Sequence, residues 1–259
     1  MVIRMDVIKK EIEKVDLKDP IYIEGLPGVG YVGKLVVDHL IKELHAKKII
    51  EIYSKYFPPQ VLIDSNSIAH LVKNEVYAWK NDQGGNDLLF LAGDFQSVSS
   101  EGHYELTDAY LDIAEEYNVK RIYTIGGYGV GYILEKPSII CAVNNESLLD
   151  ELKNYNVEFK EEEPGGGIVG AAGLMLGLGA LRGFEGICLM GVTSGYLVDP
   201  KSAQEVIKIL CRILNIEVSL KDLEKRAEDM EEIIKKLKEA EYTSKGAVKG
   251  KDESFGYYI

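Results

Sequence analysis

Apolar residues along the chain fall into short runs separated by glycine and proline turns, and the period within each run predicts its structure. From Ile21 to Leu44 the order is strand, tight turn, helix. Ile21, Tyr22 and Ile23 favour a strand, Pro27 and Gly28 force a turn, and Leu35, Val36, Leu40, Ile41 and Leu44 recur at helical spacing. Lys47 to Tyr53 predicts the next strand, closing a right-handed β-α-β unit. Val61 to Asp64 and Ile68 to Trp79 read as strands of alternating character, a meander that makes the sheet mixed. Leu88 to Ala92 and Arg121 to Ile125 are continuous apolar runs, the form of strands buried on both faces, and the first is placed at the centre of the sheet. Between them Leu106, Ala109, Tyr110, Ile113, Ala114 and Tyr117 form a helical stripe. Ser138 to Val143 and Glu185 to Gly191 are two further strands, Val157 to Lys160 a small edge strand, and residues 1 to 19 hold an edge strand or a short helix. Ser147 with Asp150 predicts a capped short helix ending near Tyr155. Asp199-Pro200 predicts a cap and first-turn proline for a helix running through Ala203, Val206, Ile207, Leu210, Ile213 and Leu214.

Toward the C-terminus Ser219 and Asp222 make a capping-box-like start. Leu220, Leu223, Ala227, Met230, Ile234 and Leu237 then follow at intervals of 3, 4, 3, 4 and 3 residues. This is a coiled-coil seam of about two and a half heptads or, equally, an amphipathic helix packing on its own domain. Beyond Glu241 small and charged residues without periodicity predict a flexible tail, which nevertheless ends in Tyr257-Tyr258-Ile259. The pattern therefore gives an α/β class with a mixed, largely parallel central sheet flanked by helices. Residues 1 to 218 make the core domain, 219 to 241 the C-terminal helix and 242 to 259 the tail.

Composition sharpens this picture in two places. With 259 residues, 46% of them hydrophobic, the chain can bury one large core. Its formal net charge of -12 repels a phosphate backbone and an anionic membrane surface, so neither nucleic acid nor a membrane is an expected partner. The three cysteines, Cys141, Cys188 and Cys211, form no C-x-x-C pair and sit in apolar settings. They read as small buried thiols in a reducing cytoplasm, and the N-terminus has no apolar signal core, so a soluble cytoplasmic protein is expected.

Chemistry is sparse. Gly28, Gly30 and Gly33 spell G-x-G-x-x-G, and Glu51 follows in the next strand, which on paper is a dinucleotide fingerprint. Pro27 stiffens the turn, Tyr31 puts a ring where the ligand would approach, and Glu51 lies inside its strand. Those glycines are better explained by close packing of turn on sheet. Gly126, Gly127, Gly129 and Gly131 read as a second glycine loop at an adjacent strand end. A third glycine-rich region, opening at Pro164, places Gly173 and Gly177 four apart on a helix. Glycine there costs about 1 kcal/mol each against alanine, which calls for a close-packed neighbouring helix or subunit. The histidines show no metal spacing. His103, in a loop with Asp94, Ser97, Ser99, Ser100 and Glu101, is the one place where nucleophile and base could meet. No catalytic, cofactor or metal residues are assigned.

Read together, several segments resemble the archaeal proteasome-assembly-chaperone family. They are GLPGVGYVGKLVVDHLIKEL at 25 to 44, FPP at 57 to 59, LAGDFQ at 91 to 96, IGGYGVG at 125 to 131, PGGGIVGAAGLML at 164 to 176 and YLVDPKSAQEVIKIL at 196 to 210. The resemblance implies a sandwich related to the nucleoside-phosphorylase fold without that activity, assembled as a homo-oligomer. The terminal Tyr257, Tyr258 and Ile259 resemble the hydrophobic-tyrosine-any residue signature by which proteasome activators dock between α-subunits of the 20S core particle. What the resemblance implies is a non-enzymatic, ATP-independent partner of the 20S proteasome, an assembly chaperone or activator without cofactor. The alternative is a nucleotide-binding or ATP-grasp-like enzyme using the glycine loops.

Overall fold

The computed structural model describes residues 6–134, 136–155, 157–159, 166–233 and 235. In chain order the elements are β1 (Ile8–Glu11), β2 (Ile21–Glu24), α1 (Val32–Glu43), β3 (Lys47–Tyr53), β4 (Val61–Ile63), β5 (Ala69–Leu71), β6 (Asn74–Trp79) and β7 (Leu88–Gly93). The second half adds α2 (Ser100–Glu116), β8 (Arg121–Gly129), β9 (Ile139–Val143), α3 (Ser147–Leu152), β10 (Glu158–Phe159), α4 (Ala171–Leu181), β11 (Glu185–Thr193) and α5 (Pro200–Leu214). A last helix, α6, covers residues 221–233.

Nine strands form one mixed sheet in the order β1-β3-β6-β7-β2-β8-β11-β9-β10. Its centre, β7-β2-β8-β11, is parallel, and antiparallel pairs lie outside it. The period of two along each central strand sends alternate side chains to opposite faces. Ile23, Tyr123, Ile187 and Leu189 pack under α1, α3 and α5, while Tyr22, Ile122 and Leu89 pack under α2 and α4. The result is a sheet between two helical layers, with β7 buried at all six positions near the middle, as its unbroken apolar run requires.

Local signals hold at several boundaries. Asp199 caps α5 by accepting from the Ser202 N–H at 2.9 Å, with Pro200 in the first turn. Ser99 caps α2 by accepting from the Gly102 N–H at 3.1 Å. At α3 the expected Ser147 cap does not form: Ser147 is the first helical residue, Glu146 stands at the N-cap without a side-chain cap bond, and the Asn145 side-chain oxygen accepts from both the Ser147 N–H and its hydroxyl at 3.0 Å. At the other end of the sheet β1 proves to be the edge strand, and β10 is the small strand at the opposite edge.

Three expectations are corrected. Strands β2 and β3 do not make a local unit, because β7 and β6 lie between them, inserted from later in the chain. The second glycine segment is no loop: Gly126, Gly127 and Gly129 continue β8, paired with Met190, Gly191 and Thr193 of β11, and the turn comes at Gly131 with φ 79°. Finally, β4 and β5 leave the main sheet and form a separate two-stranded hairpin, exposed at all six positions.

Helix α6 begins on the chain's own domain. Leu223 is buried in the α1/α5 layer, Leu220 packs against it, and Asp222 pairs with Lys42 of α1. Ala227 and Met230 turn toward a groove lined by Leu134 and Val198. The first half of the expected seam is therefore intramolecular, whereas Ile234 and Leu237 fall outside what the structure describes.

Candidate functional site

The parallel strands direct the chemistry-bearing segments to one place. Beyond the C-terminal ends of β2 and β8 lies a cleft of about 600 Å³. Its lining includes Glu24 and Gly28 from the end of β2 and its turn, Gly126 to Gly129 of β8, His103 of α2, and Gly166 to Gly170 leading into α4. All three glycine-rich segments of the sequence meet here, at the edge of an open α/β sheet where ligands commonly bind.

Packing accounts for the critical glycines. A Cβ on Gly33 would stand 2.3 Å from the Ile125 carbonyl oxygen, and one on Gly127 would stand 2.1 Å from that of Val29. Gly30 needs its left-handed conformation, φ 62°, and lies against the Thr193 side chain. The turn is thus pressed onto β8 and β11. Gly33→Ala is expected to destabilise the fold, because the roughly 1 kcal/mol that alanine gains over glycine in a helix is outweighed by overpacking costs of up to about 3 kcal/mol. A lower urea midpoint for the variant checks this, and an unchanged or higher one contradicts it.

Glu51 does not serve this site. It is buried in β3, three strands away from β2, and its carboxylate accepts from Lys73 at 2.6 Å, Lys48 at 2.9 Å and Lys10 at 3.0 Å. Lys73 foremost holds its carboxyl well below the usual carboxylate range. The His103 cluster is likewise dispersed. Ser99 is a helix cap, Ser97 Oγ donates to the Ser99 carbonyl at 2.9 Å, and Asp94 accepts from the Lys73 N–H at 3.1 Å. His103 alone reaches the cleft, and burial lowers its pKa, which keeps the imidazole neutral.

Sequence reasoning missed the central group, Glu24. It closes β2, is 1% exposed, and lines the cleft. One carboxyl oxygen, Oε1, accepts from the Leu26 N–H at 2.9 Å, Oε2 is closed off from solvent, and the backbone N–H groups of Leu26 and Ile125 both favour the ionised form. Burial raises its pKa to about 8, so the group is an uncharged acid at neutral pH. The signal was present: Glu24 is two residues from Tyr22 on a strand, hence on the same face, and that face is covered by α2 and α4.

Around this group Gln96 forms a hydrogen-bonded clasp. Gln96 Nε2 donates to the Pro27 carbonyl at 2.8 Å and its Oε1 accepts from the Ala171 N–H at 3.0 Å, tying the first glycine turn to the start of α4. The thiols are remote from any reactive role. Cys141 and Cys188 are buried and pushed up to about 12, and half-buried Cys211 to about 11. In α4, Gly173 packs against its own preceding loop at Ile168, and Gly177 meets nothing within 4 Å, so the expected helix contact through the two glycines is absent within the described chain. Tyr257, Tyr258 and Ile259, the partner-binding residues expected from sequence, lie outside the described residues.

With this geometry in place the relatives become informative. A profile described as the PAC2 family matches residues 22–238. The chain belongs to the PAC2 family. A Methanocaldococcus jannaschii relative, described as an uncharacterized protein, is 37% identical over 255 residues, covering 98% of this chain and 97% of its own. Among solved structures, Pyrococcus furiosus PbaB, described as an archaeal proteasome activator, superimposes with a TM-score of 0.86 at 44% identity, covering 91% of this chain and 100% of PbaB. Pyrococcus furiosus PbaA, described as an archaeal homolog of proteasome-assembly chaperone, shares the fold with a TM-score of 0.75 at 24% identity, covering 94% of this chain and 96% of its own. The PAC2 sandwich is the fold expected from the sequence resemblance.

Proposed function

We propose that this PAC2 protein is a non-enzymatic, ATP-independent binding protein of the 20S proteasome core particle, acting as activator or assembly chaperone. The observation that carries the reading is the likeness to PbaB over nearly the whole chain. In this reading the protein is a cytoplasmic homo-oligomer, and docking runs through Tyr257, Tyr258 and the Ile259 carboxylate into pockets between α-subunits. The glycine turn supports the non-enzymatic part, because Gly30, Gly33 and Gly127 are held by close packing against Thr193, Ile125 and Val29.

The test is capture of purified archaeal 20S core particle by the full chain with and without ATP. Equal capture in both conditions is expected. Failure to capture, or capture only with ATP, contradicts the reading.

A further inference from the structure

The hairpin of β4 and β5 has the pattern of a buried element, yet the described chain leaves it in water. Its two ends are anchored, because Phe57 and Val72 are buried in the α2/α4 layer. Between them every residue from Pro59 to Leu71 is exposed. The register pairs Val61 with Leu71, Leu62 with His70 and Ile63 with Ala69. Directly opposed residues of an antiparallel pair point to the same side, so Val61, Ile63, Ala69 and Leu71 share one face, and Leu62 and His70 share the other. The first face is apolar throughout, with Val61, Ile63 and Leu71 at 52%, 72% and 54% exposure.

Local bonds shape the hairpin. Asp64 Oδ1 accepts from the Asn66 N–H at 2.8 Å and from the Ile68 N–H at 3.0 Å, and Asp64 Oδ2 lies 3.0 Å from His70 Nε2. These bonds close the turn and hold Asp64 on the His70 side, but they give the apolar face nothing to pack on. A two-stranded hairpin by itself is marginally stable in water, and a contiguous exposed apolar patch marks a contact surface.

Charge selects the occupant. Asp, Glu, Lys and Arg make up 28% of the chain and leave it at -12, so two copies repel over most of their surface. From Tyr56 to Val72, Asp64 is the only such residue, and it is turned away from the apolar face. A surface meant for a partner of opposite charge would carry acids to meet it, whereas a copy of the same sign approaches best where there are none. An apolar face set against itself across a two-fold axis is also self-complementary. We infer that the apolar face of the β4–β5 hairpin packs on the same face of a second copy of this chain, through Val61, Ile63 and Leu71. This contact rests on the homo-oligomer of the proposed function and names a surface that builds it.

The test follows mass by light scattering for the full chain, for Ile63→Glu, for Ile63→Lys and for an equimolar mixture of the two, with capture of 20S core particle measured alongside. Ile63 is exposed, so both variants should keep the parent's cooperative melt; if either loses it, Val61→Glu and Val61→Lys carry the same test. Like charges placed face to face are expected to weaken the contact at least about a hundredfold. An isologous contact joins copies in pairs, so each variant alone should show no more than half the parent's mass, and the mixture should regain it. Leu62→Glu puts the same charge on the other face and should leave the mass unchanged. A parent that is monomeric at every concentration removes the homo-oligomer and this inference with it. A parent oligomer unmoved by Ile63→Glu overturns the inference alone, as does a mixture that stays dissociated or a fall in mass with Leu62→Glu. Parental mass with lost 20S capture in Ile63→Glu also overturns it, and gives the hairpin to the core particle.

Discussion

Glu24→Gln is expected to remove a fall in stability of about 5 kcal/mol that the parent chain shows between about pH 4.5 and pH 8. The sign follows from proton binding. The folded-state pKa of Glu24 is raised from 4.5 to about 8 by burial. Below the lower value both folded and unfolded chains carry the proton, and the contribution of the neutral group is fully present. As pH rises, the unfolded chain releases its proton while the folded chain retains it, so each pH unit lowers stability by about 1.4 kcal/mol until Glu24 ionises in the fold. Because the side chain is 1% exposed, solvent screening takes little from this figure. Glutamine keeps the acceptor for the Leu26 N–H and has no proton to exchange. Urea unfolding of both proteins at about pH 5 and pH 8.5 should show curves that converge at the acidic end and separate at the alkaline end, the variant being the more stable. Parallel profiles would contradict the assignment. The Glu51 cluster does not obscure the result: its pKa is lowered, so its stabilisation is present above the ordinary carboxylate range and is lost only as pH falls below it.

Much of the fold was legible because local signals agreed with one another. The unbroken apolar run of β7 meant burial on both faces, Asp199-Pro200 meant a helix start, and the glycines of residues 28 to 33 meant a turn pressed on a sheet. What escaped were relations set by distant segments. Nothing near β3 reveals that β6 and β7 will separate it from β2, since that order arises only when later strands insert. Gly126 to Gly129 look like a loop because glycine is a poor strand former. They remain in a strand because β11 supplies a partner along their whole length, and Gly127 leaves room for the Val29 carbonyl. Glu24 escaped because an acid beside a turn suggests solvent, although its alternation with Tyr22 pointed inward. The docking role proposed for the tail rests only on a resemblance in three residues, and no folding pattern bears on it.

That tail carries the largest expected effect on binding. A chain terminus offers a fixed negative charge that a pocket lysine can pair with, a recognised way to capture a C-terminus. Tyr258 adds a large ring at low entropy cost together with a hydroxyl handle. Several tails on one oligomer raise the local concentration of the others, so individually weak contacts gain avidity and a change in each tail is multiplied. Removing a buried aromatic anchor together with the terminal charge is therefore expected to weaken binding by about a hundredfold or more.

The decisive measurement is the affinity of immobilised 20S core particle for the full chain, for a chain ending at Gly256 and for Tyr258→Ala, with the oligomeric state of each followed by light scattering. The account predicts binding by the full chain, loss of binding by both variants, and the same oligomer in all three. If the chain ending at Gly256 binds as tightly as the full chain, docking belongs to the folded PAC2 body and the tail has no part in it.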